Sequence, residues 1–125
     1  MTPQEFLASV ETILLIDWPD RRVPEAFLRA GFRVFVRGGP GPQDFSAYEL
    51  RDGEVATRRI GAPPDRADLV YAYRPLNELP GIVALAQTLA AKAIWTQSNL
   101  DDAETQQARY LIESANLLHL TGPVR

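Results

Sequence analysis

Thr12-Ile13-Leu14-Leu15-Ile16-Asp17-Trp18-Pro19-Asp20-Arg21-Arg22, followed by Pro24-Glu25-Ala26-Phe27-Leu28-Arg29-Ala30-Gly31, decides the fold class. The first five residues form a continuous apolar run, the pattern of a strand covered on both faces. A polar turn interrupts it, and the stretch from Pro24 to Ala30 reads as a helix that Gly31 ends in a left-handed conformation. Strand, loop and helix in that order are the first half of a βαβ unit. Phe32 to Val36 supplies its second strand, which Gly38-Gly39-Pro40-Gly41-Pro42 then stops with turn-forming residues.

Working outward, Thr2-Pro3-Gln4-Glu5 reads as a capped helix start, with proline at the first helical position and Phe6, Leu7 and Val10 on one buried face. Downstream, Asp52-Gly53 inside Tyr48 to Ile60 is the signal of a tight hairpin. Pro63-Pro64 ends that region. Leu69 to Tyr73 and Ala93 to Thr96 are further strands, separated by a longer helix between Pro75 and Ala91 with Pro80 in its first turns. Asp101-Asp102-Ala103-Glu104 caps a last helix carrying Ala108, Leu111, Ile112 and Ala115 at helical spacing, before Asn116 and a final run from Leu117 to Leu120. Strands that alternate with helices predict an α/β protein of the Rossmann-like, doubly wound kind. Its sheet is expected to be five-stranded and mostly parallel, with helices on both faces and the ligand crevice beyond the carboxyl ends of the strands.

Composition bounds the rest. A length of 125 residues fits one domain, 1–125. The net charge of −3, with no basic run longer than Arg21-Arg22 and Arg58-Arg59, gives no footprint for a nucleic-acid backbone. The lack of cysteine removes disulfides, thiolate catalysis and cysteine-held metals, and suits a reducing compartment. Ile13 to Ile16 is too short to span a bilayer, and no basic region precedes a long apolar stretch, so a cytoplasmic protein with no membrane anchor is expected.

Asp68-Leu69-Val70-Tyr71-Ala72-Tyr73-Arg74-Pro75 and Ala91-Lys92-Ala93-Ile94-Trp95-Thr96-Gln97, in this element order, resemble the CoA-binding proteins related to the nucleotide-binding domain of the succinyl-CoA synthetase alpha subunit. The resemblance spans nearly the whole chain. It rests on an aromatic followed by arginine after one strand, Tyr73-Arg74, and on a Trp-x-Gln signature in the next, Trp95-Thr96-Gln97. It implies a non-catalytic module for CoA or an adenine nucleotide, with CoA as the cofactor, at Asp17, Trp18, Arg37, Gly38, Gly39, Arg74, Trp95 and Gln97.

The first βα turn departs from that family, which usually carries glycine and small or hydroxylated residues there so that phosphates can approach backbone amides. Asp17 and Trp18 stand in their place, and Pro24 removes one donor. The Gly38 to Gly41 loop with Arg37, Arg21 and Arg22 is either a substitute phosphate cradle or a surface turn. Arg74 either meets a phosphate or pins its neighbouring loop, and Trp95 either fills the core or stacks on adenine. An alternative function follows: a family member that keeps the fold, has lost its ligand and acts through a protein partner or a homodimer.

Enzymatic chemistry is not expected. His119 is the sole histidine, no nucleophile-elbow pattern accompanies it, and it should pack in or beside the last strand. Asp17, Asp20, Asp101 and Asp102 lack zinc or calcium ligand spacing, so no metal site is expected.

Overall fold

In the computed structural model, which describes residues 3–39, 41, 43–96 and 100–121, the apolar run Thr12–Ile16 is strand β1, and all five of its residues are buried. A strand with no polar face has to lie inside a sheet covered on both sides. It does: β2 (Arg33–Arg37) pairs with it in parallel on one flank and β5 (Leu69–Ala72) on the other. The remaining elements are α1 (Pro3–Leu7), α2 (Arg22–Arg29), β3 (Phe45–Arg51), β4 (Glu54–Arg59), a 3₁₀ turn at Leu76–Glu78, α3 (Leu79–Thr88), β6 (Ala93–Thr96), α4 (Asp102–Ser114) and β7 (Leu118–Leu120).

The strand order is β4-β3-β2-β1-β5-β6-β7. Five strands, β2-β1-β5-β6-β7, are parallel, while β3 and β4 run antiparallel at the β2 end. The sheet is therefore seven-stranded, not five-stranded as expected, because the Asp52-Gly53 hairpin joins the main sheet and extends it. Asp52 and Gly53 both take positive φ, 53° and 81°, the backbone a two-residue hairpin turn demands.

Alternation divides the core into two layers. Ile13, Leu15, Val34, Val36, Tyr71 and Trp95 face α1 and α2, where they meet Phe6, Phe27 and Leu28. Leu14, Ile16, Val70, Ala72 and Ile94 face α3 and α4, against Ile82, Val83, Ala86, Ala108 and Ile112. Local signals hold these helices in place. Gly31, at φ +100°, turns the chain out of α2 while the Phe32 amide donates back to the Phe27 carbonyl, and Asp101 and Glu104 close a reciprocal capping box on α4. Pro80 sits in the first turn of α3, where its missing donor costs nothing.

Asp68 locks the two central strands together at their starts. Its carboxylate accepts the backbone amides of Glu11 and Thr12 at 2.9 and 3.0 Å while its own amide donates to the Thr12 carbonyl. Burial works to raise its pKa, but the two amides and the charges of Arg66 and Lys92 outweigh that and hold it below the usual carboxylate range. Among the described residues no helix is long and apolar enough to cross a membrane.

Candidate functional site

From β1 the chain crosses to β2 on one side, and after the β3–β4 hairpin it returns to β5 on the other side of β1. The strand order thus reverses between β1 and β5, which stay paired to their carboxyl ends, and the chain segments that follow them leave in opposite directions. A cleft of about 270 Å³ opens there, floored by Ile16 and walled by Asp17, Arg37, Gly38, Gly39, Arg74 and Glu78. Five of the residues singled out from the sequence, Asp17, Arg37, Gly38, Gly39 and Arg74, are brought together in it. Trp18 lies in the adjoining groove, edge-on to Tyr48 with ring centroids 6.2 Å apart. Trp95 belongs elsewhere: it is 4% exposed and packs edge-on against Phe27 and Tyr71 under α2, so it fills the core and does not line the cleft. Gln97 lies outside the described residues.

Arg74 is clamped. Its Nη1 donates to Asp17 Oδ2 at 3.0 Å, its Nε donates to both Glu78 carboxylate oxygens at 3.1 Å, and its Nη2 also donates to Glu78 Oε2. The Glu78 hydrogen bonds first, then those to Asp17, raise the Arg74 pKa further above its ordinary value, and Arg74 in turn holds the Glu78 carboxyl below its own. Asp17 sits at φ +61° with its other carboxylate oxygen accepting the Trp18 amide at 2.8 Å. Aspartate tolerates this left-handed backbone by such local bonding, which lets it occupy a position where glycine would otherwise be favoured.

The amides at the start of α2 are spoken for as well. The Arg22 amide donates to Asp20 Oδ1 at 2.8 Å, the Val23 amide to the Asp20 carbonyl, the Glu25 amide to the Arg21 carbonyl, and Pro24 has none to give. The Arg22 side chain folds onto the same Asp20 carboxylate with both Nε and Nη2 at 3.0 Å. A phosphate seeking the positive end of this helix would find a carboxylate already in its place.

The glycine loop tells the same story. Asp44 Oδ2 accepts the Gly41 amide at 2.8 Å, and the Asp44 carbonyl accepts the Gly38 amide at 3.1 Å. A Cβ on Gly39 would lie 2.5 Å from Asp44 Oδ2, and one on Gly41 2.9 Å from it. The glycines are small because an internal carboxylate is seated against them.

Asp44 and Glu78 escaped the sequence reading. Glu78 carried a signal, since it stands four residues after Arg74 at the start of a helix, the spacing of an ion pair. Nothing local marked Asp44 as the partner of the loop before it.

His119 is remote from all of this. On β7, two strands from β5, its Nε2 shares a 2.7 Å hydrogen bond with Thr96 Oγ1, and burial, with the charge of Arg109 second, pushes its imidazole down to about 4. Among the described residues no cluster of three or more histidine, aspartate or glutamate side chains could hold a metal ion.

A mostly parallel seven-stranded sheet with helices on both faces defines a mixed α/β protein. The chain is similar in structure to Prb, a PH1109 protein redesigned for binding, with a TM-score of 0.62 and 17% identity over 98% of this chain and 85% of that one. It is also similar to the cell-free ID.343 protein of Thermus thermophilus, with a TM-score of 0.59 and 22% identity over 97% and 91% of the two chains. At these identities the likeness is one of fold. No family model matches the chain, and no curated protein matches it.

Proposed function

We propose that the chain is a Rossmann-like domain of the CoA-binding kind that performs no chemistry of its own and works by associating with protein, its phosphate seats being filled by its own carboxylates. One observation carries this reading. Three of the donors that a pyrophosphate would use already face an aspartate or glutamate of the chain: Arg74 faces Asp17 and Glu78, the Arg22 amide faces Asp20, and the Gly41 amide faces Asp44. A phosphate entering the cleft would have to break the Arg74 bonds and then sit beside Asp17 and Glu78, a like-charge contact. His119, hydrogen-bonded to Thr96 and two strands from β5, offers the cleft no acid or base. A cytoplasmic setting fits the cysteine-free sequence.

A second reading, a module that still takes CoA or an adenine nucleotide, is favoured by the placement of Arg37 and Arg74 in one cleft, beyond the carboxyl ends of β2 and β5, the two strands that flank β1. Thermal unfolding with CoA, dephospho-CoA, AMP and NAD separates the two. A ligand at about a hundred times its dissociation constant adds roughly 2.7 kcal/mol. For a chain of 125 residues that corresponds to a rise of about 10 °C in Tm. No shift with any of the four is the expected result. A shift with CoA alone would overturn the closed-site proposal and establish the second reading.

A further inference from the structure

β4 ends the sheet, and all its residues are exposed except the half-buried Ala56. The phase of its hydrogen bonding is fixed by its hairpin. The Ile60 amide donates to the Phe45 carbonyl at 3.0 Å, so the hydrogen-bonded pairs running back to the turn are Ala47 with Arg58, Glu49 with Ala56 and Arg51 with Glu54. Val55, Thr57 and Arg59 therefore aim their amides and carbonyls away from β3, at the open edge. The opposite edge strand, β7, is only three residues long.

Edge strands are commonly guarded by charges that repel a second strand. The charges on β4 are of both signs and symmetrically spaced. Glu54 and Arg58 lie two residues to either side of Ala56 and, by alternation, on one face. A two-fold axis perpendicular to the sheet preserves faces, so an antiparallel pair of β4 strands centred on Ala56 sets each Glu54 against Arg58 of the second copy. The same register places Val55 opposite Thr57 twice over, which closes four backbone hydrogen bonds. Centring on Thr57 instead would oppose Ala56 to Arg58 and leave Glu54 without a charge opposite it, and centring on Val55 would run the pairing into the Asp52-Gly53 turn.

Arg58 already meets Glu49 at 3.0 Å, but its side chain is 56% exposed and a guanidinium has five donors, enough for a second carboxylate. Leu50 and Val55, both exposed, are paired across β3 and β4 beside this edge, and a second copy would cover Val55.

We propose that the chain pairs with a second copy of itself through β4, antiparallel and centred on Ala56. The pairing gives the association proposed above a partner and a surface, and in that respect rests on that proposal. None of its residues lines the cleft. A CoA-induced shift in Tm would therefore leave it standing, and its own failure would leave the carboxylate-filled cleft untouched.

The chain has no cysteine, so single cysteines report directly. Ala56 would face its own copy in a non-hydrogen-bonded pair, with Cα atoms about 4.5 Å apart, within the span of a disulfide. Full-length Ala56→Cys, checked for folding by circular dichroism, should form a covalent dimer under mild oxidation, while Val55→Cys, offset from its copy by the register, should stay monomeric. In sedimentation equilibrium, Glu54→Lys and Arg58→Glu should each weaken the dimer about tenfold or more, and the two together should restore it to within about threefold. A full-length chain that stays monomeric at its highest soluble concentration would overturn the proposal. So would equal cross-linking of both cysteines, or a double variant no better than the singles.

Discussion

Replacing Asp68 tests how much the lock between the starts of β1 and β5 contributes to the stability of the sheet. Asp68 is 6% exposed, and its carboxylate takes two backbone amides, one of them belonging to buried Thr12. Asp68→Ala leaves the Thr12 amide without an acceptor, at a cost of about 1–3 kcal/mol, while the Glu11 amide, nearer the surface, recovers part of its loss from water. Taking about 2–3 kcal/mol for both, and an unfolding entropy of about 2.1 cal/mol/K for each of 125 residues, Tm should fall by about 8–11 °C. Asp68→Asn keeps the accepting oxygen and loses only the charge, so it should cost about 1 kcal/mol and about 4 °C.

The pH dependence separates charge from geometry. Because the folded carboxyl titrates below its unfolded value, its contribution is complete above about pH 4 and is lost as the pH falls further, through the folded pKa. The gap in Tm between wild type and Asp68→Asn, measured by calorimetry, should therefore be constant from neutrality to about pH 4 and close below it. An alanine variant melting within about 2 °C of wild type would refute the lock. A gap that persisted undiminished at the acid end would refute the charge.

His119 acts in a different window: its depressed pKa of about 4 means the unfolded chain binds the extra proton first, so stability should fall as the pH drops from about 6.5 to about 4. His119→Gln should remove that fall, and parallel melting curves for the two proteins would show the imidazole to be idle. Asp101→Ala removes one half of the capping box on α4 and should lower Tm by about 4 °C for about 1 kcal/mol, whereas Asp101→Ser should recover most of it. Gly39→Ala forces a methyl against Asp44 and should destabilise the wild type by about 1 kcal/mol or more, yet be nearly neutral beside Asp44→Ala. Equal costs in both backgrounds would mean that the loop is not shaped around that carboxylate.

Most of the architecture could be read from the chain because it is written in local patterns. Ile13 to Ile16 has no polar face to present to water, Gly31 supplies the one backbone a helix end wanted, and Asp101 with Glu104 forms a cap within four residues. The size of the sheet is not legible in the chain for the opposite reason. The hairpin turn at Asp52-Gly53 was visible, but its attachment to β2 depends on Val34 meeting Tyr48 and Phe35 meeting Ala47, contacts that no local pattern encodes.

The site divides along the same line. The chain places Asp17, Arg37 and Arg74 at strand ends, and the topology alone then gathers them at the reversal between β1 and β5. What they do there is set by pairings across 57 residues, as between Arg74 and Asp17, or by a loop that closes on Asp44. An arginine at the end of a strand and a glycine-rich loop look alike in sequence whether they await a phosphate or hold a carboxylate. The distinguishing quantity is where the nearest negative charge lies, and here that charge is part of the chain. Trp95 is the converse case: its signature is local and legible, but alternation turns its ring under α2, where Phe27 and Tyr71 leave it no path to the cleft.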